Sequence, residues 1–379
     1  MKPNTEINPF IVGKYVSDEY FCDRKQETEF LIKQIRNGRN TAVISPRRLG
    51  KTGLIKHCFN QKEILENYHT FFVDIYATSS LSEFVYLMSR TIFEQLKPKS
   101  VKRKENFFNI IKSLRIGFKI DVISGQPSLD IGLADIQSPQ TTIDEIFQYL
   151  EQADKPCIVA IDEFQQVSQY YENNIEALLR TKIQQCKQTS FIFSGSKRHL
   201  MTNMFSSASK PFYQSAVIMG LEPIPMETYC DFAVSLFEKN TKHCEREVVQ
   251  RVYNDFDGYT WFVQMMMNEL FALTKEGETC KEDMIVTAQQ NVIQIQQHSY
   301  MYILANMSVK QKLVLTAIAK EQTAKNITSS EFIKKHKLSS ASSVQAAVKA
   351  LLNNDIITQQ DNIYRVYDYF FANWLRGEL

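Results

Sequence analysis

The residues with the clearest chemical potential are Lys51 and Thr52, which follow Gly50 at the end of a short loop. An apolar run at 41–44, interpreted as a buried strand, precedes this loop, and a helical pattern begins at Lys51. A helix N-terminus offers a phosphate its free backbone N–H groups and a favourable dipole. Lys51 would face the β- and γ-phosphates of a nucleotide, and the Thr52 hydroxyl would ligate Mg²⁺. The predicted nucleotide-binding residues here are Ser45, Pro46, Arg47, Arg48, Leu49, Gly50, Lys51, Thr52 and Gly53.

The loop departs from the usual phosphate-binding pattern at its first position, where Ser45 stands in place of glycine. Pro46 stiffens the loop, and Arg47 and Arg48 add positive charge. The competing interpretation is a chance Gly-Lys-Thr sequence in a turn between a strand and a helix. The flanking strand and helix are the context that the phosphate-binding motif requires, and they favour the first interpretation.

Two carboxylates end a second apolar strand, because Asp162 and Glu163 directly follow residues 157–161. The carboxyl ends of strands in a parallel sheet border the ligand crevice. Asp162 could hold the shell of Mg²⁺, and Glu163 could accept a proton from an attacking water. Alternatively, the pair begins the next helix, with Asp162 as its cap.

A third polar strand end follows at Ser194 and Ser196. Either hydroxyl could orient a water or contact the γ-phosphate, and the sequence does not choose between them. Lys197 and Arg198 could stabilise negative charge that develops in the transition state, or they form a solvated basic turn.

The surrounding pattern alternates strands and helices and predicts an α/β fold with a parallel, doubly wound sheet. A basic run at 97–104 and a β-hairpin around Gly125 form a predicted insertion at 97–140. Expected strands lie at 41–44, 71–75, 157–161 and 190–194, and expected helices at 24–37, 81–96, 141–153 and from the acidic pair to about 186.

The C-terminal part predicts three helices and a small hairpin, which together form a winged helix. The helices lie at 308–320, with Leu313, Val314 and Ile318 on the apolar face, at 328–336 and at 339–353. The third helix could enter a DNA major groove, but its exposed face offers Lys349 as its single cation. Packing on another protein surface is the alternative.

Bulk composition indicates a globular protein and argues against disulfide-rich, secreted and membrane-spanning classes of protein. The 379 residues are 44% hydrophobic and 23% charged, with a formal net charge of +2, so no global field attracts nucleic acid or membrane. The seven cysteines form no CxxC pair, which favours free thiols in a reducing compartment. Without a signal-like or membrane-spanning run, we expect a cytoplasmic protein.

Three of these segments together resemble the archaeal ATPase family, in the AAA+/STAND branch of P-loop proteins. They are the SPRRLGKT loop, the IVAIDEFQ strand and the FSGS strand end. The segment 21–27 resembles the F-x-x-R-x-x-E pattern before the family's nucleotide fold, which implies that Arg24 contributes to nucleotide binding. Residues 258–262 resemble the lid motif usually read as Gly-His-Pro, with Thr260 in place of proline.

The resemblance implies ATP and Mg²⁺ as ligands and an extra strand between the phosphate-loop strand and the acidic strand. It also implies that hydrolysis is slow without an arginine finger or a partner. We expect a core at 1–220, a helical lid at 221–305 and a winged helix at 306–379. The leading hypothesis is an ATPase in which nucleotide switches the lid and winged helix, with a protein partner or homo-oligomer. The alternative is an ATP-dependent regulator that binds duplex DNA.

Overall fold

The computed structural model describes residues 8–96, 110–113, 117–120, 127–130 and 132–378. The chain forms two compact units, one from Lys14 to Ile224 and one from the residues up to Gly13 together with those from Pro225 onward. The basic run predicted at 97–104 lies outside the described residues.

A five-stranded parallel sheet forms the centre of the first unit, in the order β2-β5-β6-β1-β7. Because β6 lies between β1 and β5, the expected extra strand beside the phosphate-loop strand is confirmed. All five carboxyl ends meet at one edge, which brings the loop after β1 near the residues that follow β5 and β6. The strands are β1 Thr41–Ile44, β2 His69–Asp74, β5 Cys157–Asp162, β6 Thr189–Gly195 and β7 Val217–Gly220.

Helices cover both faces of this sheet, which confirms the α/β prediction. Every residue of β1, β5 and β6 is buried, as expected for a parallel sheet enclosed on both faces. The helices are α1 Lys25–Arg36, α2 Lys51–Phe59, α3 Lys62–Asn67, α4 Leu81–Gln95, α5 Pro139–Glu151, α6 Ile175–Gln185 and α7 Arg198–Ser206. The predicted hairpin is confirmed as β3 Gly117–Ile120 paired antiparallel with β4 Pro127–Asp130.

The first unit differs from the sequence-based expectations at two places. The continuous helix expected after the acidic pair is a 3₁₀ segment, Phe164–Gln169, followed by α6, because Glu163 and Asn174 adopt left-handed conformations that interrupt a helix. Strand β7 was not predicted. It is short and lies at the sheet edge, where Ile218 is exposed, so it lacks a continuous buried run.

Helices α8 to α11 begin the second unit, with a short parallel pairing between β8 and β9. Phe10 from the N-terminal segment packs among Phe232, Phe237 and Phe271. These elements are α8 Met226–Lys239, β8 His243–Cys244, α9 Arg246–Asp255, α10 Thr260–Leu273, β9 Thr279–Cys280 and α11 Met284–Ala305.

A winged helix completes this unit and confirms the predicted three helices and hairpin. It adds a short third strand, β10, and a final helix, α15. The prediction for Leu313 was wrong: this residue is 48% exposed, while Val314 and Ile318 of the same helix are buried. The elements are α12 Val309–Glu321, β10 Ala324–Lys325, α13 Ser330–Lys335, α14 Ala341–Asn353, β11 Ile357–Gln360, β12 Ile363–Val366 and α15 Tyr369–Glu378.

The helices before the winged helix pack directly against it. Asp257 accepts hydrogen bonds from Arg365 at 2.6 Å and from the Tyr369 hydroxyl at 2.7 Å. Beside them, Phe256 lies 5.0 Å from Phe370 between ring centres. Across the described residues, we find no helix with the length and apolar character needed to cross a bilayer.

Candidate nucleotide site

The loop between β1 and α2 turns sharply around two residues with positive φ. Arg48 has a φ of 69° and Gly50 a φ of 94°. The second conformation suits glycine, which has no Cβ to clash with the backbone. Helix α2 starts at the next residue, so its unpaired N–H groups face the loop, as a phosphate site requires.

Lys51 lies against the loop that precedes it. Its Nζ donates hydrogen bonds to the carbonyl oxygens of Ser45 at 2.9 Å and Pro46 at 3.0 Å. Burial lowers the pKa of Lys51 to about 8, although the carboxylates of Glu163 and Asp162 oppose this shift. A buried ammonium that the surrounding carboxylates favour in its charged form is well placed to bind an anion.

The predicted magnesium ligands lie side by side. Thr52 Oγ1 donates a hydrogen bond to Asp162 Oδ2 at 2.8 Å, and Asp162 is buried. Hydroxyl and carboxylate oxygens are the donors that Mg²⁺ prefers, and in phosphate sites the nucleotide and water supply the remaining ligands. Among the described residues there is no group of three or more His, Cys, Asp or Glu side chains that could hold a metal ion.

A third carboxylate borders this edge and was missed from the sequence. Asp74 ends β2 and is in register with Asp162 on β5. Asp74 is exposed, but partial desolvation by its neighbours raises its pKa and the negative charges of Asp162 and Glu163 raise it further, against the lowering effect of a hydrogen bond from the Tyr76 N–H. The position of Asp74 at the end of a predicted strand was the available signal.

Glu163 is held by two neighbours at the carboxyl end of the sheet. Its Oε2 accepts a hydrogen bond from Ser196 Oγ at 2.7 Å and another from Gln165 Nε2. Ser196 Oγ in turn accepts from Arg47 Nε at 3.3 Å. Of the two predicted serines, Ser196 therefore lies at Glu163, whereas Ser194 is fully buried and its hydroxyl has no partner among the described residues.

Gln165 is a site residue that the sequence did not single out. Its side chain is 2% exposed, and its Oε1 has no hydrogen-bond partner in the described part of the chain. Glu163, with a φ of 57°, turns the chain so that Gln165 points back toward it. The signal was the glutamine two residues after the catalytic carboxylate candidate, but its direction depends on that unusual backbone conformation.

The segment before α1 supports the loop from outside. Arg24 is buried and donates hydrogen bonds to Glu27 Oε1 at 2.7 Å and to the Leu49 carbonyl at 3.2 Å. Phe21 packs on α2, where a Cβ added at Gly53 would lie 3.3 Å from its ring. Arg24 therefore contacts the backbone of the phosphate loop directly.

Comparison with known families agrees with this geometry. The sequence pattern described as an ATPase domain predominantly from Archaea matches residues 21–266. A pattern described as a probable winged helix domain matches residues 298–377. The chain is also 26% identical over 157 residues to an uncharacterized ATP-binding protein, MJ1659, of Methanocaldococcus jannaschii. That match spans 39% of this chain and 43% of the relative, so less than half of the relative is covered.

Solved structures share the fold over nearly the whole chain. The Walker-type ATPase PABY2304 of Pyrococcus abyssi superposes with a TM-score of 0.64 at 17% identity, covering 97% of this chain and 99% of its own. The ORC2 protein of Aeropyrum pernix, in ADPNP–ADP complexes, gives 0.58 at 14% identity, with 99% and 98% coverage. The ORC1 protein of the same organism, in complex with DNA, gives 0.52 at 11% identity, with 94% and 93% coverage. With the family pattern spanning more than half of its residues, this chain belongs to the ATPase domain family found predominantly in Archaea.

Proposed function

We propose that this protein is a Mg²⁺-dependent ATP hydrolase whose nucleotide state controls the position of its C-terminal unit. The observation that carries the proposal is the meeting of three groups at one sheet edge. Lys51 lies at the loop, the Thr52–Asp162 pair beside it, and Glu163 is held by a neighbouring hydroxyl. These are the charge, metal-ligand and proton-acceptor functions that phosphoryl transfer to water requires.

Each residue has a role that its contacts support. Lys51 and the N-terminus of α2 bind the phosphates, and Arg24 holds the loop in shape through Leu49. Bound Mg²⁺, held by Thr52 and Asp162, would neutralise charge on the phosphates. Glu163 accepts the proton of the attacking water.

Ser196 and Gln165 orient that carboxylate. Both hydrogen bonds go to the same oxygen, Oε2 of Glu163, and no hydrogen bond is described to the other oxygen, Oε1. A general base must present a lone pair to water in a fixed direction, and two donors on one oxygen fix the plane of the carboxylate. Oε1 is then the atom positioned to accept the proton.

The switch part of the proposal concerns the parts at 1–220, 221–305 and 306–379. A γ-phosphate that holds the phosphate loop would favour one position of the helical lid and winged helix, and hydrolysis would release it. Protease protection compared between ATP and ADP tests this part. Identical cleavage patterns in the two nucleotides would refute the switch while leaving hydrolysis intact.

The decisive experiment measures nucleotide affinity and phosphate release with and without Mg²⁺. We expect Lys51→Ala to lose ATP binding and Glu163→Gln to bind ATP with little turnover, a decrease on the order of 100-fold or more. Lys33→Ala and Glu29→Gln, on the exposed surface of α1, are the matched controls. Normal turnover by Glu163→Gln would contradict its role, and absence of ATP binding by the wild type would refute the proposal.

A second candidate function is binding of duplex DNA, favoured by one surface of the winged helix. A cleft of about 460 Å³ lies between α14 and the hairpin and is lined largely by polar side chains. Gln345, Lys349 and Asn353 of α14 border it, together with Asn362 of the hairpin turn. Amide side chains and a lysine can contact base edges and phosphates, respectively.

Salt-dependent binding of a duplex separates this candidate from protein docking. Lys349→Ala should weaken binding of the duplex. It should also reduce the slope of log binding constant against log salt concentration by about one, the value for one phosphate contact. Lys310→Ala, at an exposed position of α12 away from the cleft, serves as the control. No binding at low salt would exclude this function.

A further inference from the structure

The side chain of Arg47 extends from the phosphate loop over the carboxyl ends of the strands, where it places a positive charge. Its Nε donates to Ser196 Oγ at 3.3 Å, and its guanidinium carbon lies 5.5 Å from the ring centre of Tyr76. Ser196 follows β6 and Tyr76 follows β2, and these strands flank β5 on its two sides. The guanidinium therefore lies over the end of β5, where Asp162 and Glu163 are found.

The charges around this position fit an anionic ligand. Arg47 lies in the same loop whose Ser45 and Pro46 carbonyl oxygens accept hydrogen bonds from Lys51 Nζ. This loop and the start of α2 therefore present two cationic side chains, and the negative oxygens of a phosphate group can contact both. Guanidinium is also the side-chain group that best matches phosphate oxygens, because its N–H donors lie in one plane.

We propose that Arg47 contacts the transferred phosphoryl group and stabilises the negative charge of the transition state from within the same chain. The inference rests on the proposed ATPase function. In that reaction, the water oxygen forms a bond to the γ-phosphorus and the bond to the bridging oxygen breaks. Its electron pair leaves with ADP, and Glu163 receives the water proton. Arg47 donates hydrogen bonds to oxygens whose charge grows during these steps.

The contact through Ser196 distinguishes Arg47 from its neighbours in the sequence. Ser196 Oγ accepts from Arg47 and donates to Glu163, so the arginine is one hydrogen bond away from the candidate base. When Arg47 turns toward a phosphate, the serine stays on Glu163, and both groups act on the same reacting centre. In a purely structural role, Arg47 would only keep its hydrogen bond to Ser196 and its contact with the Tyr76 ring, and it would not touch the phosphate.

The test compares Arg47→Gln and Arg47→Lys with Arg90→Gln, an exposed arginine on α4 that pairs with Glu94. Three quantities are measured on the full chain: the Kd of ADP, the retention of ADP in the presence of aluminium fluoride, and the single-turnover rate of ATP hydrolysis. Aluminium fluoride beside ADP imitates the transferring phosphoryl group, so retention reports binding without turnover. Thermal unfolding of each variant checks that it is folded.

We expect Arg47→Gln to bind ADP within about 3-fold of wild type, to lose retention with aluminium fluoride and to slow the single turnover on the order of 100-fold. Arg47→Lys should give an ADP retention and a single-turnover rate between those of wild type and Arg47→Gln, because lysine keeps the charge without the planar donors. Normal retention and rate in Arg47→Gln would overturn the inference, as would equal losses of ADP affinity and of ADP retention with aluminium fluoride, which indicate uniform binding. If wild type itself neither binds nor hydrolyses ATP, the proposed function fails and the inference fails with it.

Discussion

Replacing Gly195 with alanine should disturb Glu163, the candidate base, although the added methyl group does not contact Glu163 itself. Gly195 is the last residue of β6, and a Cβ there would lie 2.5 Å from Met201 Cγ and Sδ and closer still to Gln165 Oε1. Both are ends of flexible side chains, but both are buried, so neither can move without displacing its neighbours. Gln165 must shift, and Gln165 is one of the two residues that donate a hydrogen bond to Glu163.

The size of the effect follows from two terms. Overpacking of a buried site costs about 1–3 kcal/mol of the free energy of unfolding. Loss of a hydrogen bond to a charged group costs about 1.5–3 kcal/mol, which corresponds to roughly 10- to 100-fold in kcat if it is lost from the transition state. We therefore expect Gly195→Ala to unfold at a lower temperature and to turn over more slowly, with ATP affinity nearly unchanged.

The sheet itself provides a matched control. Gly220 ends β7 and pairs with Ile44 from the opposite side of β1, as Gly195 does from β6. A Cβ at Gly220 meets no atom within 4 Å, so Gly220→Ala should be neutral or stabilising by about 0.4–1 kcal/mol. The test measures thermal unfolding and phosphate release for both glycine variants. The same measurements are made for the double variant, in which Gly195→Ala is combined with Gln165→Ala. Equal behaviour of the two glycine variants, or no recovery of stability in the double variant, would refute the reasoning.

Two further changes have expected outcomes. Arg24→Ala removes the hydrogen bond to the Leu49 carbonyl and should lower the free energy of unfolding by about 1.5–3 kcal/mol and weaken ATP binding, as measured by thermal unfolding and nucleotide titration; unchanged affinity would show that the loop keeps its shape unaided. In the winged helix, hydrogen bonds from Lys335 and His336 lower the pKa of Glu321 below its usual 4.5, so their stabilising effect is present above that pH and is lost as pH falls through the lowered pKa. Unfolding followed between pH 7 and pH 3 should show this loss in wild type relative to Glu321→Gln, and parallel curves would contradict it.

The arrangement of the phosphate loop and acidic residues was predictable because each follows a continuous apolar strand. Strands β1, β5 and β6 are completely buried, and such runs are recognisable without knowledge of their neighbours. Once the sheet is parallel, its carboxyl ends share an edge, and Lys51, Thr52 and Asp162 must lie near one another. The edge strand β7 gave no comparable signal, because one of its four residues is buried.

The surroundings of Glu163 could not be predicted, because they depend on backbone turns that have no periodicity. Ser194 lies inside β6, whereas Ser196 lies beyond its last residue, so the alternation of the strand does not fix the direction of the second side chain. The left-handed conformation of Glu163 likewise decides where Gln165 points. Arg47 reaches Ser196 across the sheet, a contact between residues 149 positions apart that no local pattern contains.

The helices and the winged helix of the second unit share buried aromatic residues, which restricts how a switch could operate. Separating them would expose Phe256, Phe262 and Phe370, at about 1.5–3 kcal/mol for each side chain. In the proposed switch, a nucleotide signal would therefore act on this unit as a whole and would not rearrange its parts. Strand β7 pairs with β1 beside the phosphate loop, and the second unit begins five residues after Gly220. Two of those five residues are proline, which limits the backbone freedom of the segment through which the proposed switch would act.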